Sequence, residues 1–235
     1  MKIAIIPARG GSKRIPRKNI RFFCGRPIIS WSIEAARSSN LFDEIIVSTD
    51  DIEIAKVAEE MGAVCPFLRP TSLADDFTPT IPVVRHAINE LAIVGREITH
   101  ACCIYATAPF VSSSDLVNAY DQLVLNNSNF AVPVTTFPFP IQRAVMLDER
   151  GIVSMIDPSK YLTRSQDLTE TYHDAGQFYW GTVKAWQEND AIFGANTVGL
   201  IIPRHRVQDI DTMEDWRRAE LMFGVQQVED GKGVP

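Results

Sequence analysis

One pattern constrains this chain more than any other: short, unbroken apolar runs alternate with stretches whose apolar residues recur every three or four positions. Lys2–Ala8 (KIAIIPA) is the first run. It is continuous and rich in branched residues, so it predicts a strand buried on both faces. Pro27–Ser38 carries Ile28, Trp31 and Ala35 on one helical face. Glu44–Thr49 predicts the next strand, Asp51 a cap, and Ile52–Met61 a helix closed by Gly62. Ala63–Phe67 predicts a short third strand. Ile81, Val84, Ile88 and Leu91 share one helical stripe. Ala101–Tyr105 predicts another strand, Ser112–Asp115 a cap region before a helix over Leu116–Leu125, and Phe130–Val134 a further strand. This alternation predicts an α/β fold, a doubly wound and mostly parallel sheet with helices on both faces. Ligands of such sheets bind beyond the carboxyl ends of the strands.

From Phe137 to Tyr172 the alternation lapses. Pro138, Pro140 and Pro158 interrupt it, and short β-like pieces fall around Arg143–Leu147 and Ile152–Met155. The chain therefore reads as one domain, 1–235, with an inserted excursion at about 137–172, suited to a dimerisation arm. Strand patterns resume with GQFYWG (176–181) and TVGLIIP (197–203), and a helix is expected from Asp215 to Phe223. The tail VEDGKGVP (228–235) is expected to fray.

Composition matters mainly by contrast. Seven of the 18 residues from Arg9 to Arg26 are basic and none is acidic, yet the chain carries a net charge of -6. The sequence pI of about 5.3 argues against general nucleic-acid binding, which needs a basic face. No apolar run approaches the ~20 residues of a membrane span, and Arg9 breaks the first run too soon for a signal peptide. A cytoplasmic protein is expected, with no nucleic acid and no membrane among its partners. The four cysteines lack metal or disulfide spacing and read as small reduced residues, Cys102 and Cys103 in the core.

The basic loop matches neither the Walker A nor the G-x-G-x-x-G pattern. Its chemistry still points to phosphate. Gly10 and Gly11 let backbone N–H groups approach an anion, and arginine and lysine suit phosphate oxygens.

Ala8-Arg9, Ser12-Lys13 and Lys18-Asn19, within IIPARGGSKRIPRKN, resemble the N-terminal motif of the CMP-sugar synthetases. These are cytidylyltransferases that activate sialic acids and related nine-carbon acids. The resemblance continues through VSTDD (47–51), RPTSLADDFTPT (69–80) and the DID of 209–211, and so spans nearly the whole chain. It implies a Rossmann-like nucleotidyltransferase fold, CTP and a nine-carbon sugar acid as substrates, and Mg²⁺ as cofactor. By analogy it also implies a homodimer. It implies that Ala8, Arg9, Gly10, Gly11, Ser12, Lys13, Lys18, Asn19, Arg69, Thr78 and Thr80 hold the nucleotide.

Asp209 and Asp211 lie two apart after an apolar run, so in an extended chain they point the same way. Two carboxylates beside phosphates suit Mg²⁺, and the pair matches the family's metal-binding aspartates. Arg9, Lys18, Asp209 and Asp211 are the expected catalytic set. The cations would neutralise phosphate charge while the sugar hydroxyl attacks the α-phosphorus.

For the acceptor, Ala106 in YATAPF stands where the sialic-acid branch commonly has Gln, next to Thr107. YHDAGQFYWG (172–181) resembles the pseudaminic-acid branch, in which His173 and Gln177 could hydrogen-bond to the sugar and Tyr179 could pack against its methyl-bearing groups. Phe178 and Trp180 cannot both point inward with it, so core roles are expected among them. Arg143 and Lys160 are the excursion's candidates for the sugar carboxylate. His86, His100 and His205 read as structural. Sialic and legionaminic acids remain as other acceptors, the deoxyoctulosonate enzymes lacking the Gly-Gly-Ser-Lys loop in this form, and a non-catalytic nucleotide-sugar-binding protein remains as another class.

Overall fold

The computed structural model describes residues 1–229; the tail expected to fray lies outside them from Asp230 onward. The chain runs β1 (Lys2–Pro7), β2 (Phe22–Phe23), β3 (Arg26–Pro27), α1 (Ile29–Ser38), β4 (Glu44–Ser48), α2 (Ile52–Glu60), α3 (Thr80–Ile93), β5 (His100–Ile104), α4 (Ser113–Leu125) and β6 (Phe130–Thr136). It continues with β7 (Val145–Leu147), β8 (Val153–Met155), β9 (Tyr172–Asp174), β10 (Phe178–Thr182), α5 (Val183–Glu188), β11 (Thr197–Ile201) and α6 (Met213–Glu229).

The main sheet has the order β11-β6-β10-β5-β1-β4, with β9 also on β6. β4, β1, β5, β6 and β11 point one way, while β9 and β10 run against them. The sheet is thus mostly parallel, as the alternation predicts. The continuous apolar runs are continuous because both faces are covered. Ala4, Ile6 and Ala8 pack with α1, α2 and α4 on one face, while Ile3 and Ile5 pack with α3 and α5 on the other. β10 divides likewise: Phe178 and Trp180 enter the first layer and Tyr179 the second.

Asp51 caps α2, its Oδ1 accepting the N–H groups of Glu53 and Ile54 at 2.9 and 3.1 Å. Such a cap is worth about 1 kcal/mol. The expected strand over Ala63–Phe67 shrinks to a single bridge, Ile46 to Val64. Pro66 has no N–H with which to extend it. The helix expected from Pro27 begins at Ile29, because Arg26 and Pro27 pair with Phe22 and Phe23 as a small ribbon.

The excursion contains the β7–β8 hairpin. Its apolar residues find little cover: Leu147 is 69% exposed, Val153 60% and Leu162 88%.

Candidate functional site

β1, β4 and β5 are neighbours in the sheet, and the segments following their carboxyl ends converge on a cleft of about 280 Å³. The loop after β1 supplies Arg9, Ser12, Arg14, Lys18 and Asn19. The segment leading into α3 supplies Arg69, Asp75, Asp76, Thr78 and Thr80. The end of β5 supplies Tyr105, Ala106 and Thr107, and Asp211 reaches in from the C-terminal part of the chain.

The basic loop is anchored rather than free. Ile15 is fully buried in a third apolar cluster with Phe23, Phe110, Ile210, Trp216 and Phe223. Asn19, 8% exposed, donates through Nδ2 to the Arg9 carbonyl at 2.9 Å and folds the loop onto itself. Gly10 is needed for close approach: a Cβ there would lie 2.7 Å from Asp51 Oδ2. Its N–H is already given to Asp50 Oδ1 at 2.9 Å, so the loop is docked against the end of β4 through this glycine. Ala8, fully buried, completes that docking by donating its N–H to the Ser48 carbonyl. At Gly11 a Cβ would meet only Arg9 Nη1, at 3.8 Å, an ordinary contact.

The cations are not idle. Arg9 Nη1 donates to Asp76 Oδ1, and Lys13 Nζ reaches Asp76 Oδ2 at 2.5 Å. Lys13 first and Arg9 second hold the Asp76 carboxyl below its ordinary range. Arg14 pairs with Asp211 at 2.8 Å. Arg17 turns away, pairing with Asp51 and Glu53 at the start of α2. Lys18, with 17% of its side chain exposed, donates to the Ile210 carbonyl and stands 3.7 Å from Asp211. Burial pulls the Lys18 pKa down, and the charges of Asp211 and Asp209 partly restore it.

Arg69 differs from all of these. It is 5% exposed, and its Nε and Nη2 have no hydrogen-bond partner among the described residues. Burial lowers its pKa. A buried guanidinium with two idle donors on a cleft wall is costly unless a ligand engages it.

Asp209 and Asp211 do not end a strand as expected. β11 stops at Ile201, a short 3₁₀ turn covers Arg204–Arg206, and the aspartates follow in irregular chain. Ile210 between them is turned into the core, 1% exposed, and of the two only Asp211 lines the cleft, although Lys18 feels both charges. Much of the Asp209 surface is open to solvent. Its carboxyl is nevertheless raised, first by desolvation from the chain around it and then by the charge of Asp211. Among the described residues no group of three or more His, Cys, Asp or Glu could hold a metal by itself. A pair of carboxylates, with no nitrogen or sulfur donor, fits a hard cation that takes its other ligands from phosphates and water.

The acceptor residues scatter. Ala106, 3% exposed, and Thr107 line the cleft. Tyr179, also 3% exposed, lines an adjoining apolar cavity of about 460 Å³ that shares Thr80 and Tyr105 with the cleft. Its hydroxyl donates to Asp174 Oδ2 at 2.5 Å. Gln177 is not brought to the cleft: it is 3% exposed, and its Nε2 donates to the Arg206 carbonyl at 2.6 Å. His173 lies outside too, in β9 beside Phe137, with ring centroids 4.8 Å apart. Lys13 and Asp209 are near but do not line the cleft, and Arg143 and Lys160 stay in the excursion. Phe178 and Trp180 are core, Trp180 donating Nε1–H to the Leu116 carbonyl at 3.0 Å. His86 faces Glu90 at 3.7 Å, and His100 meets the Tyr120 ring edge-on.

Sequence reasoning missed Asp76, Arg14 and Tyr105. Only the Asp75-x-x-Thr78 turn was legible locally: Asp75 Oδ1 accepts from the N–H and hydroxyl of Thr78.

A doubly wound sheet that presents cations and an idle guanidinium at its carboxyl edge, across from a carboxylate pair, belongs to the nucleotidyltransferase class. Comparison with known proteins narrows this. Residues 3–213 match the family model described as cytidylyltransferase, and the chain belongs to that family. It is 48% identical, over 95% of its length and 96% of the relative's, to the pseudaminic acid cytidylyltransferase of Campylobacter jejuni subsp. jejuni serotype O:2. It is 30% identical to the CMP-N,N'-diacetyllegionaminic acid synthase of Legionella pneumophila, covering 96% of this chain and 97% of that one. Among solved structures, a CMP:2-keto-3-deoxy-manno-octonic acid synthetase complexed with CTP matches with a TM-score of 0.72. It covers 96% of this chain and 99% of that one at 15% identity, a likeness of fold.

Proposed function

We propose that the chain couples CTP to pseudaminic acid, forming the CMP-sugar and pyrophosphate. The anomeric oxygen of the acid bonds to the α-phosphorus. The bond from that phosphorus to the bridging oxygen breaks, pyrophosphate leaves, and the hydroxyl proton passes to solvent.

The observation that carries the nucleotide reading is Arg69. Its idle Nε and Nη2 suit the acceptor atoms of a pyrimidine at the deep end of the cleft. Arg9 and Lys18, on the opposite loop, would take the phosphates; Ser12, Asn19, Thr78 and Thr80 line the same cleft, which supports the reading. Asp209 and Asp211 are the residues that would hold magnesium. The chemistry a bound magnesium would supply is charge, polarising the α-phosphate and acidifying the attacking hydroxyl.

Two features favour pseudaminic acid: the 48% identity and the apolar cavity beside the cleft. That cavity, walled by Tyr179, Ile192 and Phe193, suits the methyl groups of acylamino substituents. A legionaminic acid would present similar groups, and the Legionella relative keeps that second reading open to test. The functional unit is proposed to be a homodimer joined through the excursion, whose apolar side chains are otherwise left in water.

The test is pyrophosphate release from CTP with pseudaminic, legionaminic and sialic acids in parallel, each with Mg²⁺ and with a chelator. Turnover with pseudaminic acid alone, lost with chelator and in Arg69→Ala, is expected. Turnover with another acid alone reassigns the acceptor, and turnover in chelator removes the metal from the proposal.

A further inference from the structure

His173 and His205 have no part in the cleft, yet they meet elsewhere. A separate cavity of about 420 Å³ opens between the ends of β6 and β9, the 3₁₀ turn at Arg204–Arg206, and α6. Thr135, His173, Arg204, His205 and Arg218 line it, and among the described residues no carboxylate does. Thr135 and His173 are register partners across β6 and β9, so their side chains share one face of the sheet.

Two observations mark the cavity as built to hold something negative. Thr135 is 1% exposed, and its hydroxyl has no hydrogen-bond partner among the described residues. A buried hydroxyl left unpaired costs free energy that a ligand would recover. The His173 ring has its Nδ1 2.8 Å from the Asp174 carbonyl. A carbonyl only accepts, so Nδ1 carries the ring hydrogen and the neutral Nε2 is an acceptor; His173 bounds the cavity without donating to an anion. Arg204 and Arg218 form no ion pair with a carboxylate among the described residues. Asp215, one turn before Arg218 on α6, feels its charge without pairing with it. The contrast with the nucleotide loop is plain, since Arg9, Lys13, Arg14, Arg17 and Lys18 all stand against carboxylates.

We infer that this cavity is a second anion site, shaped for a small polyvalent oxyanion and separate from the nucleotide cleft. Arg204 and Arg218 would supply forked donors, and Thr135 its hydroxyl at the base. The lining, two arginines and an unpaired hydroxyl with no carboxylate among the described residues, favours a free oxyanion over a protein segment.

Pyrophosphate is the probe, because the proposed cleft should also bind it and so serves as an internal reference. Calorimetric titration of the full chain without metal is expected to show two sites. Arg204→Gln/Arg218→Gln should weaken one of them at least tenfold and leave CTP turnover intact. Lys18→Gln should weaken the other. Thr135→Val keeps the shape and removes only the unpaired hydroxyl. It should weaken the second site several-fold with a melting temperature equal to or above that of the wild type, which keeps the test decisive if the double variant folds poorly. A single site in the wild type, abolished by Lys18→Gln, overturns the inference. So does a double variant that binds as the wild type but shifts the monomer–dimer balance, which would assign the cavity to a partner segment. Loss of the Lys18-dependent site alone would count against the nucleotide reading and not against this one.

Discussion

Asp76 shows how much a single side chain can do in the basic loop. It holds Arg9 and Lys13 together and is held ionised by them. A triphosphate that took these cations would first have to displace this carboxylate, so the proposed nucleotide entry would be an exchange of anions. Asp76→Asn should bind CTP several-fold more tightly in calorimetry, because the competitor is gone while Arg9 and Lys13 remain. Weaker binding would mean that Asp76 serves to shape the loop. Because the carboxyl is held below its ordinary range, competition should persist throughout the neutral and mildly acidic range. The loop itself was legible in the sequence, since seven cations without an acid in an acidic chain stand out at any register. Its internal pairing was not, because Asp76 and Asp211 come from 63 and 197 residues away from the cations they meet.

At the scale of elements, the segment bearing Asp209 and Asp211 is fixed from three sides. Arg206 pairs with Asp115 at the start of α4, with only 18% and 12% of their side chains exposed. Gln177, just before β10, donates to the Arg206 carbonyl, and its own carbonyl accepts the Tyr105 N–H at 2.9 Å on the cleft wall. Lys18 holds the Ile210 carbonyl. Removing one member of a largely buried pair leaves a charge unpaired, so Arg206→Ala should destabilise the fold by about 3 kcal/mol, read by chemical denaturation. A change below half of that would place the pair among surface bridges. The strands and helices of the first 136 residues were mostly legible, because continuous apolar runs and helical stripes differ in period. The role of Gln177 was not. A lone amide between Gly176 and Phe178 looks alike whether it meets a sugar or a carbonyl, and only the return of the chain to β5 decides. Ala63–Phe67 misled because its apolar residues suit a strand while Pro66 limits the pairing.

For the whole molecule, the excursion is the part that a single chain leaves unfinished. Leu147 and Val153 face each other across the β7–β8 hairpin with most of their surface in water. If they meet a second copy, Leu147→Asp/Val153→Asp should move the protein from dimer to monomer in sedimentation, while the melting of the main sheet is retained. An unchanged mass would remove the excursion from the interface.

The strand order has a further consequence, for how the chain is made. β10 lies between β5 and β6 yet follows both in sequence, with the whole excursion intervening. β1, β4 and β5 can assemble as soon as they leave the ribosome. β6 cannot join them until 42 residues after its own end at Thr136, when β10 begins to emerge at Phe178 and supplies the missing edge to both. During that interval β5 and β6 each hold an open edge, and the apolar hairpin is already out. Nascent chains halted before residue 178 should therefore be the ones that depend most on chaperones.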